Sequence, residues 1–258
     1  MRLGVREAEE ALRSSREACT TRDPFSDRDD RLDANWGYGV QARDREHRLS
    51  MGERLIGVKL GLTSEAKQRR MDVHTPIVGF LTDAMVMDAD SVKSRLGSWA
   101  QPRIEPEIAF VTACAIDKAV AREDVAAVVD SVCVAAEIID SRYSKYRFAL
   151  ADVIADNTSA AGIVTGPASR LADIGDLAGL ACSVVVDGTV VHEAFGSAVL
   201  GDPLRAVVVL SEHLAARGEV LPTGSLILAG ALTDAVPLVA GAGYRLVVEG
   251  LGEVRVDV

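Results

Sequence analysis

The sequence predicts an α+β fold, a mixed, curled β-sheet with a helical segment ahead of it. Three observations lead there. Helical periodicity fills the N-terminal stretch, and no strand-like run appears before about residue 55. Beyond it, short Val/Ile/Leu-rich runs recur between glycines, as strands between turns do. Helical patterns interrupt these runs irregularly, so the regular βαβ repeats of a Rossmann or TIM fold are absent. The chain therefore divides into a helical segment, 1–55, and a β-rich domain, 56–258.

Each element has its own signal. Residues 3–19 carry a helical period, 20–35 (TTRDPFSDRDDRLDAN) form a charged loop, and 36–50 form a second helix. Residues 56–61 read as a strand, and 64–71 as a short helix with Ser64 as N-cap. Residues 76–91 read as a loop with short extended pieces, and 104–113 as a strand. Residues 121–133 read as a helix, followed by a strand that ends near Asp140. Helix, turn and strand follow over 150–166. Asp187-Gly188 marks a hairpin between 180–186 and 189–193. Residues 202–218 form an amphipathic helix with an Asp-Pro start and a Gly stop. Strands at 225–230, 236–239, 243–249 and 252–257 complete the chain.

Composition narrows the function. A net charge of −10 argues against nucleic acid or an anionic membrane surface as partner. No apolar run is long enough to span a bilayer, and the charged N-terminus has no signal-peptide core, so a cytoplasmic location is expected. Cys19, Cys114, Cys133 and Cys182 are scattered without ligand spacing, and Cys114 and Cys133 read as small buried hydrophobes. No nucleophile elbow, Walker loop or strand-borne GxGxxG is present.

The chemistry-bearing residues are charges inside apolar runs. In Arg103–Phe110, RIEPEIAF, Glu105 and Glu107 share one face of a strand. Two such carboxylates either lie on a wet face, pair with arginines, or hold a hard divalent cation. Glu137, with Asp140 after it, closes another apolar run; it is a third oxygen ligand or the partner of Arg142 or Arg103. Lys59 interrupts IGVKLGL, and either snorkels to solvent or enters a pocket where burial lowers its pKa. Polar residues 155–159 (ADNTS) form a turn and cap, or present donors to a ligand. Residues 229–238 form a glycine-lined ligand loop or an ordinary hairpin turn. Pro106 suggests a sheet edge.

Six stretches in order, GVKLGLTSEAKQRRM, TPIVGFLTD, IEPEIAF, EIIDSRYSKYRFALADVIADNTS, GDPLRAVVVLSEHLAARGEVLPTGSLILAGALTDAVPL and VEGLGEV, resemble the hydratase/decarboxylase branch of the fumarylacetoacetate hydrolase superfamily. The resemblance runs from about residue 36 to the end. It implies that superfamily's β-roll and a Mg2+ site, with Mn2+ as the alternative ion. Glu105, Glu107 and Glu137 match the family's metal ligands, and Lys59 its active-site lysine. Leu60, Ile77, Asp140, Arg142, Ser159 and Thr233 are the substrate-binding positions it implies.

The same resemblance implies a small 2-oxo acid substrate. One branch decarboxylates 2-oxo-3-hexenedioate (4-oxalocrotonate) to 2-hydroxypenta-2,4-dienoate, as in aromatic meta-cleavage pathways; the other hydrates 2-hydroxypentadienoate. Hydratases of the branch read Pro-Asp-aromatic-Gly where this chain reads Pro76-Ile77-Val78-Gly79, which favours the decarboxylase. Val78 in place of the aromatic implies a pocket shaped for a related acid. Homo-oligomerisation and association with a related hydratase or decarboxylase are also implied. A non-catalytic, keto-acid-binding family member is the remaining alternative.

Overall fold

The computed structural model describes residues 3–258, apart from the side chains of Glu65, Lys67 and Arg70; residues 1 and 2 of the predicted helical segment lie outside the described residues. Helices α1 (Val5–Glu17) and α2 (Ala34–Ser50) come first, then β1 (Leu55–Gly61), α3 (Glu65–Met71), β2 (Ile77–Thr82) and α4 (Ala89–Arg95). β3 (Arg103–Thr112), α5 (Val125–Val128), β4 (Val129–Ile139), α6 (Leu150–Ala155), β5 (Ala160–Thr165) and β6 (Ser169–Arg170) follow. The chain ends with β7 (Ala181–Val186), β8 (Thr189–Phe195), α7 (Leu204–Arg217), β9 (Leu226–Ala231), β10 (Val236–Pro237), β11 (Gly243–Val248) and β12 (Gly252–Asp257).

Two sheets result. The larger runs β2-β1-β9-β3-β4-β5, with β10 added to β3 and β6 to β4; the smaller runs β12-β11-β7-β8. Only β1 and β9 pair in parallel, so the large sheet is mixed. One aliphatic core joins the two sheets: Ile108, Val132 and Val134 of β3 and β4 share it with Leu246, Val254 and Val256. A second cluster sits under the N-terminal helices, where Ala8, Leu12, Trp36 and Val40 pack on Phe25, Tyr143, Ala151 and Ala155. Phe25 meets Trp36 and Tyr143 edge-on, with centroids 5.7 and 6.1 Å apart. Asp33 caps α2 by accepting the Trp36 N–H at 2.8 Å.

Four expectations are corrected. Residues 77–82 are not loop but a fully buried strand, and α4 follows them. Of the helix expected over 121–133, a 3-10 turn (Arg122–Asp124) and one α-helical turn exist; Val129 onwards is β4, paired with β3 as far as Ile139. The β-branched Val129, Val132 and Val134 suit that pairing, and tertiary context overrides the helical period. Pro106 is not at a sheet edge, because β3 lies between β9 and β4. Its missing N–H falls where the β9 ladder ends (Glu107 beside Ala231) and the β10 ladder has yet to begin (Ile104 beside Val236). Cys114 is exposed, because it lies in the bend just beyond β3.

Candidate active site

Strand register assembles the site. Glu105 and Glu107 point to one face of β3, and Glu105 stands directly opposite Glu137 of β4. One carboxylate oxygen from each of Glu105, Glu107 and Glu137 lies within 4.8 Å of the others, and all three residues are buried. Beside β3, β9 carries one extra residue between its partners of Ala109 and Glu107, a bulge at Ala229-Gly230. Gly230 takes φ +116°, a conformation only glycine adopts readily, and donates its N–H to Glu107 Oε2 at 2.7 Å. Glu107 Oε1 and Glu137 Oε2 are buried and accept no hydrogen bond from the described residues.

Lys59 enters from β1. It is 3% exposed, so it does not snorkel. Its ammonium forms an ion pair with Glu137 and donates to the Thr158 carbonyl at 3.1 Å. Burial alone pulls the Lys59 pKa down, but Glu137, Glu105 and Glu107 outweigh it, and the net direction is upward. Lys59 is therefore a stable cation, contrary to the lowered pKa expected from burial. Burial, reinforced by Glu137 and Glu105, holds the Glu107 carboxyl well above its ordinary value, against the pull of Lys59 and the Gly230 N–H. Burial raises Glu137 as well, with Lys59 opposing.

The polar stretch 155–159 forms a strained turn. Asn157, Thr158 and Ser159 all have left-handed φ, +48°, +52° and +61°. Asn157 fixes the turn to β2, accepting from Phe80 N–H and donating to Phe80 C=O, both at 2.9 Å. Gly79, opposite Lys59 in the β1–β2 ladder, makes the close approach possible: a Cβ there would lie 2.5 Å from Thr158 Oγ1 and 3.1 Å from Lys59 Cγ.

A cavity of about 160 Å³ opens onto these residues. Its lining includes Lys59, Glu105, Leu60, Ile77, Thr158 and Ser159. Gly61, Leu62, Thr63, Ile139, Tyr146, Phe148, Val153 and Ala231 complete it. Of these eight, the sequence marks only Ala231, within the candidate ligand loop 229–238; the signal for the others is at most the YRF of 146–148. Asp140, Arg142 and Thr233 stand outside this lining. Asp140 accepts the Ala100 and Gln101 N–H groups at 3.0 and 2.7 Å. Arg142 is spent on Asp156, pairing with its carboxylate and donating to its carbonyl at 2.6 Å, and to Asp140 O at 2.7 Å. It therefore pairs with neither Glu137 nor substrate. Thr233 Oγ1 donates to Asp234 O at 3.0 Å. Val78 lines a separate crevice with Tyr38 and His213, so its replacement of an aromatic does not reshape this cavity.

Three carboxylates around one point, two with unsatisfied buried oxygens, fit a hard divalent cation with oxygen preference. The fumarylacetoacetate (FAA) hydrolase C-terminal family model matches residues 54–258. The chain belongs to the fumarylacetoacetate hydrolase family. Within it, a 4-oxalocrotonate decarboxylase from Pseudomonas sp. is 40% identical over 206 residues, 80% of this chain and 79% of that protein. A 2-hydroxyhexa-2,4-dienoate hydratase from Comamonas testosteroni is 37% identical over 250 residues, 94% of this chain and 91% of that one. The solved 4-oxalocrotonate decarboxylase from Pseudomonas putida G7, complexed with magnesium and adipate, superposes with a TM-score of 0.92. That match has 33% identity and covers 98% of this chain and 96% of the other. No helix among the described residues of this family member is long and apolar enough to cross a membrane.

Proposed function

We propose that this family member is a Mg2+-dependent carboxy-lyase that converts 2-oxo-3-hexenedioate to 2-hydroxypenta-2,4-dienoate and CO2. The observation that carries the reading is the buried Glu105–Glu107–Glu137 cluster with Lys59 against it, Lys59 and Glu105 lining a half-open cavity. The likeness to a decarboxylase complexed with magnesium and adipate, a six-carbon dicarboxylate, supports it. Glu105, Glu107 and Glu137 would hold the cation. Mg2+ supplies Lewis-acid stabilisation of negative charge gathering on a substrate oxygen.

The substrate's far carboxylate is a vinylogous β-keto acid. Its C5–C6 bond breaks, the electron pair moves through the C3–C4 alkene to the C2 oxygen, and CO2 departs. One proton then completes the dienol. The Lys59 ammonium has three N–H donors and points two of them at Glu137 and Thr158 O. We give the third to the substrate, to steady its charge or to deliver that proton. Leu60, Leu62, Ile77, Phe148 and Val153 keep much of the cavity apolar, which suits loss of a neutral CO2. We assign Leu60, Ile77 and Ser159 of the lining to substrate contact. Asp140, Arg142 and Thr233 stand outside the lining and bond to backbone groups instead, so we give them no substrate contact.

The test follows ultraviolet loss and trapped CO2 together on enzymatically generated 2-oxo-3-hexenedioate. Mg2+-dependent CO2 release that disappears in Glu107→Gln is the expected result. Full activity in Lys59→Ala would remove the role given to that residue. The second reading, hydration of a 2-hydroxydienoate, is favoured by the hydratase relative that spans 94% of the chain. Absorbance loss from 2-hydroxypentadienoate without CO2 from the diacid would decide for it. A non-catalytic binder is opposed by the presence of Lys59 and all three glutamates, and silence on both substrates would favour it.

The functional division falls near residue 55, with 56–258 carrying the site. We also read the protein as cytoplasmic and self-associating, and as a candidate for a complex with a related hydratase. Exposed Val190, Val191 and Phe195 on the edge strand β8 support association, which sedimentation would check.

A further inference from the structure

We infer that Gln101 is a positioning residue: it fixes the Tyr146 ring as the cavity wall that selects for substrate chain length. The inference rests on the cavity being the 2-oxo acid site. Tyr146 lines that cavity, yet its backbone is in an unusual state. Lys145 and Tyr146 both have left-handed φ, +58° and +56°. For a bulky aromatic residue this is a true outlier, and it persists only where the surroundings over-determine it.

Gln101 supplies that determination. Its side-chain amide spends both N–H groups on the carbonyls of Ser141 (2.8 Å) and Tyr143 (2.7 Å), and its Oε1 accepts the Lys145 N–H at 3.2 Å. Every hydrogen-bonding group of that side chain except one oxygen lone pair is used on the segment leading into Tyr146. The Gln101 backbone acts in the same place: its N–H donates to Asp140 Oδ1 at 2.7 Å, and its carbonyl lies 3.1 Å from the Tyr146 hydroxyl. That hydroxyl also reaches Ile139 O at 2.9 Å. Arg103 closes the arrangement, its guanidinium carbon 4.4 Å from the Tyr146 ring centroid. Arg103 precedes Glu105 by two residues on β3, so the ring is referenced to the strand that carries the cation ligands. None of these bonds touches Glu105, Glu107, Glu137 or Lys59. The wall can therefore be loosened without dismantling the cation site.

A three-carbon acid bound at the carboxylate cluster does not need this wall, whereas a six-carbon diacid must run along it. The experiment titrates pyruvate and adipate separately into the Mg2+-loaded protein by calorimetry, for wild type, Gln101→Leu and Tyr146→Gly. Glycine at 146 removes the ring and is at ease at that φ. Both variants are expected to weaken adipate about tenfold or more, through lost pre-organisation. Pyruvate and Mg2+ itself should stay within about twofold of wild type. In turnover, KM for the diacid should rise while kcat moves little. Parallel weakening of both acids, or no change in either, overturns the inference. If Gln101→Leu does not fold, Tyr146→Gly decides alone, and unchanged adipate binding there overturns it. Wild type that binds neither acid with Mg2+ present overturns the functional reading itself, and this inference with it; that failure is visible before any variant is made.

Discussion

This molecule holds two buried charge clusters that differ in one respect. Around Arg142, charges balance and bonds close: the guanidinium pairs with the Asp156 carboxylate and donates to the Asp156 and Asp140 carbonyls. Asp156 also accepts the Arg142 N–H at 3.0 Å. Around Glu107, three carboxylates face one ammonium, and two buried carboxylate oxygens accept nothing from the described residues. Burial is equally deep in both. A satisfied cluster is a strut. An unsatisfied one with excess negative charge is, on the proposed function, a receptor for a cation.

The largest effect should come from the receptor. Glu107→Gln removes a ligand and a charge, and should lower Mg2+-dependent turnover by about a thousandfold or more, the scale of losing metal-assisted electrophilic catalysis. Its Tm without Mg2+ should not fall, and the upward Tm shift that Mg2+ gives wild type should vanish. A variant that keeps the shift would show that the cluster is no cation site.

Next comes the strut. Arg142→Met leaves the Asp156 carboxylate buried without its cation and removes the guanidinium bonds to the Asp156 and Asp140 carbonyls, a loss of about 3–5 kcal/mol in urea unfolding. Adding Asp156→Asn should recover part of it. A single-variant loss below about 1 kcal/mol would erase the distinction between the clusters. The Gly79→Ala methyl would meet Thr158 Oγ1 and Lys59 Cγ, and about 1–3 kcal/mol of stability should go. Because both neighbours belong to the site, turnover should fall as well. A stable Gly79→Ala with normal turnover would mean that the 157–159 turn has slack.

The receptor was more legible in the sequence than the strut, and the contrast has a physical cause. Glu105, Glu107, Glu137 and Lys59 announce themselves because each breaks an apolar run, and period-two spacing puts the first two on one face. Arg142 and Asp156 sit in polar stretches, where nothing local says which partner each will find. The strands of 180–195 and 243–257 were readable from alternation and Asp187-Gly188, and α7 from its apolar stripe. β4 was half lost to a helix, because Val125–Val134 satisfies both periods and only its pairing with β3 decides. Gln101 and Tyr146 carry no sequence mark, and ADNTS marks a turn at 155–159 but not its left-handed run, since backbone strain is imposed by distant partners.

The smallest effect is the most diagnostic of the receptor, because it reads a proton in the place of a cation. Glu107 in the folded protein has a pKa raised well above the ordinary 4.5. A carboxyl raised on folding binds its proton more tightly in the folded state. Its contribution to metal-free stability is therefore fully present below pH 4.5 and lost as pH rises through the raised value. The slope should approach about 1.4 kcal/mol per pH unit within that window. Mg2+ must displace the same proton, so its apparent affinity should climb with pH, up to about tenfold per unit, and then level off. Lys59 is raised too, so its charge is lost only at pH above the ordinary lysine value of 10.5, outside this window. Urea unfolding and Mg2+ titration over a pH series that starts below 4.5 and rises from there, in wild type and Glu107→Gln, separate these contributions. If the metal-free slope survives in Glu107→Gln, the proton belongs to another group. If Mg2+ affinity is flat with pH in wild type, the three carboxylates are ionised before the cation arrives, and Lys59 compensates them more fully than the geometry around Glu107 implies.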